Sequence, residues 1–83
     1  MTNQELLEQI KKLGGDSYED LRILEDGTII GIGNLMFTRA IYMDMNTLSW
    51  GRRFCFKDPA LADAEYKKIT TGDDEPTGWI ARR

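Results

Sequence analysis

The strongest constraint on this chain is the apolar alternation between Leu21 and Phe56, interrupted by three turn signals at Asp26-Gly27, Gly33-Asn34 and Asn46-Thr47. Side chains along a strand point to opposite faces in turn, so such alternation marks half-buried strands. Two-residue turns at the three sites set Ile23 opposite Ile30, Leu21 opposite Ile32, Ile30 opposite Phe37, Met43 opposite Trp50 and Phe37 opposite Phe56. In that expected register Leu21, Ile23, Ile30, Ile32, Leu35, Phe37, Ile41, Met43, Trp50, Phe54 and Phe56 share one surface. A slip of one residue at any turn would throw a strand's apolar set into water. The alternative at the middle turn is one long strand from Thr28 to Met45, bent by a bulge at Gly31 and Gly33. Typical strand lengths favour the four-strand meander.

Helices are expected on either side of this stretch in sequence. Thr2 and Glu5 have the spacing of a capping box, in which hydroxyl and carboxylate each satisfy an orphan amide. Leu6, Leu7, Ile10 and Leu13 then form one stripe, with Gly14-Gly15 as a left-handed stop. The second helix is expected to open with Asp58 as N-cap and Pro59 in the first helical position. Ala62, Tyr66 and Ile69 continue on one side, and Gly72 ends the run. Helices of about 11 residues are marginal alone in water, so both are expected to cover the sheet's apolar face. The resulting fold class is α+β: an antiparallel meander of about four strands with two helices packed on one face, in the order α-β-β-β-β-α. Residues 1–83 form a single domain, with the tail 76–83 docked on it through Trp79 and Ile80.

With 83 residues, one cysteine and no histidine, the chain holds no intrachain disulfide and lacks the ligands of an ordinary structural zinc site. No cofactor or metal is expected. No apolar run approaches the ~18 residues of a membrane span, and the polar start does not read as a signal peptide. A cytoplasmic protein without membrane association is therefore expected.

Charge is unevenly placed. Residues 1–27 carry seven acids and three bases, residues 58–83 six acids and four bases, whereas residues 28–57 carry Arg39, Arg52, Arg53 and Lys57 against Asp44 alone. The net charge of −3 disfavours direct nucleic-acid binding through phosphate contacts.

Catalytic equipment is sparse. Without histidine there is no imidazole base and no Cys-His pair, and neither Ser17 nor Ser49 sits in a Gly-x-Ser-x-Gly elbow. The acidic run Asp73-Asp74-Glu75, between a glycine and a proline, reads as a solvated loop. No enzyme is expected.

The candidate binding residues are Arg39 and Arg52, which fall on the apolar face, together with Arg53, Tyr42, Trp50 and Trp79. Unpaired burial of a guanidinium is costly, so Arg39 and Arg52 must snorkel, pair with carboxylates such as Glu65, Asp63 or Asp16, or await an anion. Trp50 beside Met43 and Met45 reads as core filling. The other sheet face, with Gly31, Gly33, Ala40 and Gly51 around Tyr42, Met36 and Cys55, is smooth enough to admit a flat partner or a second copy as a homodimer. Asp16, Glu19, Asp20, Asp73, Asp74 and Glu75 form a candidate acidic surface.

The segments Leu35-Met36-Phe37-Thr38-Arg39-Ala40, Gly51-Arg52-Arg53-Phe54-Cys55-Phe56 and Glu75-Pro76-Thr77-Gly78-Trp79-Ile80 resemble those of small, functionally unassigned proteins of bacterial phages, prophages and plasmids. The resemblance spans residues 20–83 and carries no activity or site residues. It implies the setting of a mobile-element accessory factor that binds and blocks a host enzyme or immune complex. The expected function is therefore a non-catalytic interaction protein, an inhibitor of a host defence or nucleic-acid enzyme that presents carboxylates where phosphates would lie. The alternative is a protein that binds or sequesters a nucleotide or similar anion through Arg39 and Arg52 with Trp50 or Tyr42.

Overall fold

The computed structural model describes residues 2–14, 18–46 and 49–82. Helix α1 (Asn3–Gly14) is followed by strands β1 (Asp20–Ile23), β2 (Ile29–Asn34), β3 (Arg39–Met43) and β4 (Arg52–Phe56), then helix α2 (Pro59–Lys68) and a short strand β5 (Ala81–Arg82). The five strands form one antiparallel sheet in sequential order. The α+β class and its helix–sheet–helix order follow the alternation and the caps, and the tail adds a fifth strand.

Both helix starts form as their sequences dictate. The Glu5 amide donates to Thr2 Oγ1 at 3.1 Å and the Thr2 amide to Glu5 Oε1 at 3.3 Å, which closes the capping box. Asp58 accepts from the Ala60 amide at 3.0 Å, with Pro59 just inside the helix. Helix α2 ends sooner than expected: Ile69 is already extended, and its amide bonds the Tyr66 carbonyl. Gly72 lies beyond that end, packed where an added Cβ would stand 2.5 Å from Thr28 Oγ1. Gly15, the expected stop of α1, lies outside the described residues.

The two helices cover opposite faces of the sheet, which corrects the expectation of a shared face. One core joins Ile30, Ile32, Ile41, Met43, Phe54 and Phe56 to Ala62, Tyr66 and Ile69 of α2. The other joins Ile29, Ala40, Tyr42 and Cys55 to Leu7 and Ile10 of α1. The smooth face expected to be open to a partner or homodimer is therefore roofed by the protein's own first helix.

The corrected layout follows from the turns. Between β1 and β2 the Leu24 carbonyl accepts from the Gly27 amide at 2.9 Å, and the Leu24 amide donates to the Thr28 carbonyl at 2.8 Å, with Gly27 at φ +88°. This is a three-residue loop, Glu25 to Gly27, a type I turn closed by a left-handed glycine. Its extra residue pairs Leu21 with Gly31 and Arg22 with Ile30. Leu21 and Ile23 consequently pack with the α1 core.

The next two turns also differ from expectation, but by even steps. Strand β2 runs through Gly33, and the hairpin closes around Met36-Phe37, where the Leu35 amide donates to the Thr38 carbonyl at 2.7 Å. Ile32 pairs with Ile41 and Ile41 with Phe54. Even shifts preserve side-chain parity, so Ile41, Met43, Phe54 and Phe56 stay on the expected face, while Phe37 goes to the turn and into water. Asn46 and Ser49 are bonded to each other at the β3–β4 connection, and the expected turn residue Thr47 lies outside the described residues.

Candidate functional site

Register defines two ends of the sheet. At one lie the β1–β2 turn, the β3–β4 connection and the last turn of α2. At the other lie the β2–β3 turn, the start of β1, the end of β4 and the first turn of α2.

The first end is an ion-paired network. Arg52 enters it from β4: Nε donates to Asp44 Oδ2 at 2.8 Å, Nη2 to Asp44 Oδ1 at 3.2 Å and to the Gly72 carbonyl at 2.6 Å, and Nη1 to Glu75 Oε2 at 3.1 Å. Asp44, the only described non-glycine residue with positive φ (57°), supports the paired Arg52. Hydrogen bonding to Asp44, then Glu75, outweighs partial burial and raises the Arg52 pKa. Arg82 also reaches Glu75, at 3.2 Å. Asp26 accepts from the Gly72 amide at 2.8 Å, and Asp74 from the Thr70 hydroxyl at 2.7 Å and the Thr70 amide at 3.0 Å; these bonds hold both carboxyls below their usual range.

Glu65 is buried beside this network. It accepts from Lys68 Nζ at 2.8 Å and from the amide and hydroxyl of Thr77 at 2.9 and 3.0 Å. Its pKa falls to about 2, first because of Lys68 and then because of Thr77. An open groove of 380 Å³ separates the end of α2 from the loop Asp73–Pro76. Its carboxylates other than Asp73 already serve the bonds above. Among the described residues no three His, Cys, Asp or Glu side chains are grouped to hold a metal ion.

Arg39 lies near the opposite end of the sheet, with its side chain 12% exposed. Nε donates to Asp63 at 2.8 Å, and Nη1 donates to Asn34 at 2.8 Å and contacts Glu19. Burial alone would lower its pKa, but Asp63 and Glu19 raise it. Each guanidinium is thus paired with two carboxylates, Asp63 as expected among them. Arg39 and Arg52 stand on the face opposite Tyr42, so no Arg39–Arg52–Tyr42 pocket forms.

Trp50 does not pack with the Met43 core; it joins the α1 side. Its ring lies 5.9 Å from Tyr42, which is 5.1 Å from Tyr18, and the Arg53 guanidinium sits over Trp50 at 5.0 Å. Arg53, a candidate binding residue, is half-buried, and its Nε has no hydrogen-bond partner among the described residues. Burial, first of all, raises the Tyr42 pKa. Trp79 lies 5.8 Å from Phe54, beside the β4–β5 pairing.

The candidate acidic surface is largely committed. Glu19 pairs with Arg39, Glu75 with Arg52 and Arg82, and Asp74 with Thr70 and Thr71. Asp20 and Asp73 remain exposed. Asp16 lies outside the described residues.

Of the apolar end, the sequence reading pointed only to Trp79 and Ile80. Among the described residues six large apolar ones are exposed: Leu13 63%, Met36 87%, Phe37 87%, Leu61 38%, Trp79 39% and Ile80 60%. All six belong to the end of the sheet marked by the β2–β3 turn. Met36 and Phe37 form that turn. Ala81 pairs with Cys55, so Ile80 and Trp79 run alongside the end of β4. Leu61, in the first turn of α2, is close enough that a Cβ on Gly78 would stand 2.7 Å from it. Helix α1 starts beside Gly27 and finishes against Tyr18, which brings Leu13 to the same end. The run Leu35-Met36-Phe37 carried a signal, since three consecutive strand residues cannot all face one core.

No protein-family model matches the chain, and neither the curated proteins nor the solved structures contain a match to it. No helix among the described residues is long and apolar enough to cross a membrane.

Proposed function

We propose that this chain is a non-catalytic protein-interaction module and that it engages its partner through the apolar end. The observation that carries the reading is the grouping of the six exposed apolar residues at one end, headed by Met36 and Phe37 on a tight hairpin. Grouped exposure of this kind marks contact surfaces, whereas scattered single residues do not. Phe, Trp and Met are also the types enriched at interface centres.

The narrower reading, an inhibitor whose carboxylates replace phosphates on a host nuclease, draws less support from the geometry. Glu19 and Glu75 are held by arginines of the same chain. The anion-binding alternative is weakened in the same way, because Arg39 and Arg52 already face carboxylates.

A photo-crosslinking amino acid placed at position 36, 37 or 25 tests the proposal inside the cell that makes the protein. Crosslinks to protein are expected from positions 36 and 37 and not from position 25, which lies in the β1–β2 turn. Equal yields from all three, or none at the hairpin, would overturn it.

A further inference from the structure

We infer that the occupant of the apolar end is a second copy of this chain, paired about a twofold axis. The inference rests on the reading of that end as a contact surface and names what it contacts.

Charge decides the choice of partner. Among the described residues around the apolar end, Lys11, Lys12, Arg39 and Lys57 stand against Glu19, Asp20, Asp58 and Asp63, four cations and four anions. The remaining described residues carry the whole excess of negative charge, net −3. Two copies meeting at this end bring neutral surfaces together and leave their acidic parts apart. A twofold pairing through the opposite end would instead bring the acids Glu25, Asp26, Asp44, Asp73, Asp74 and Glu75 of both copies together. An anionic bilayer gains nothing from a neutral end on a negatively charged protein.

A twofold contact also requires a surface that is its own complement, since residue i meets j and j meets i. This end supplies both signs at its rim. Among the described residues Lys11, Lys12 and Lys57 make no ion pair, and neither do the exposed Asp20 and Asp58. Lysines of one copy can face carboxylates of the other around an apolar centre.

Size agrees. At ~200 Å² for each large apolar residue, the fractional exposures of the six correspond to about 750 Å² per copy, close to the ~800 Å² per partner of a stable interface. A small chain gains most from such burial, because its own core removes a modest share of its surface from water.

Sedimentation equilibrium of the intact chain between about 1 and 500 μM tests the inference. The expected mass rises from the 9.5 kDa of one chain to twice that value. Phe37→Asp and Ile80→Asp are each expected to weaken association at least tenfold, with far-UV circular dichroism unchanged. Glu25→Lys, at the other end, is expected to leave it unchanged. A single-chain mass throughout the range overturns the inference, as does a dimer indifferent to Phe37→Asp. A monomer that floats with phosphatidylserine vesicles overturns it in favour of a lipid surface. A monomer that still crosslinks to a different protein from positions 36 and 37 overturns the self-pairing and leaves the interaction module standing; a monomer without such crosslinks removes both.

Discussion

Around the β1–β2 turn, Arg52 ties Asp44, Glu75 and the Gly72 carbonyl together, while Asp26 and Asp74 accept backbone amides. Around the β2–β3 turn, Met36 and Phe37 stand in water with nothing from their own chain over them. The first end satisfies its strong groups internally and has little left to offer a partner. The second leaves unsatisfied the groups that only burial can satisfy. Apart from the Arg39 pairs with Glu19 and Asp63, stability and recognition thus fall at different ends of one sheet, and substitutions should separate them.

The largest effect on stability is expected from Arg52→Met. The variant leaves Asp44, Glu75 and the Gly72 carbonyl without their shared donor, and hydrogen bonds to charged groups contribute about 1.5–3 kcal/mol. Because Asp44 and Glu75 keep over 40% of their side-chain surface in water, part of that is recovered by solvation. A loss of about 2 kcal/mol in urea unfolding is expected. A loss below ~0.5 kcal/mol would show that the network merely decorates this end.

A smaller, pH-dependent effect belongs to Glu65. Its folded pKa, about 2, lies below the ordinary 4.5, so the carboxylate form favours the folded state. Its contribution is complete above pH 4.5 and is lost as pH falls through 4.5 towards 2. Unfolding free energy measured across pH 5 to 2 should therefore decline, and Glu65→Gln should flatten part of the decline while costing about 1 kcal/mol at neutral pH. An unchanged pH profile in Glu65→Gln would mean that the bonds of Glu65 to Lys68 and Thr77 contribute little to the folded state.

Legibility followed the parity of the strands. Ile41, Met43, Phe54 and Phe56 were placed on the correct face although both of their turns were misplaced, because errors of two or six steps leave alternation intact. Leu21 and Ile23 were misplaced by a single step, since Asp26-Gly27 reads equally as a two-residue turn or as the end of a three-residue loop. That step moved apolar residues to the supposedly bare face, where Leu7 and Ile10 of α1 meet them. The smooth face was expected to lie open to a partner, and instead it is covered by α1, because nothing local in the sequence says which face a helix will take. Capping signals were readable because they are local; the partners of Arg52 were not, because they come from two segments distant in sequence, the end of β3 and the loop after α2.

The smallest effect on stability is the one that most sharpens the contrast between the ends. Met36→Ser and Phe37→Ser remove apolar surface that is already in water, and the turn they occupy is held by the Leu35–Thr38 backbone bond rather than by either side chain. Substitutions at exposed positions away from special backbone geometry usually stay within about 0.5 kcal/mol. Measured at a concentration below association, both variants should unfold within that margin of the parent chain. Measured where the parent associates, the parent alone should gain stability with concentration, because binding to the folded state adds to it by mass action. If either serine variant instead loses 2 kcal/mol or more in the dilute protein, these side chains belong to the fold, and the division between a stabilising end and a recognising end disappears.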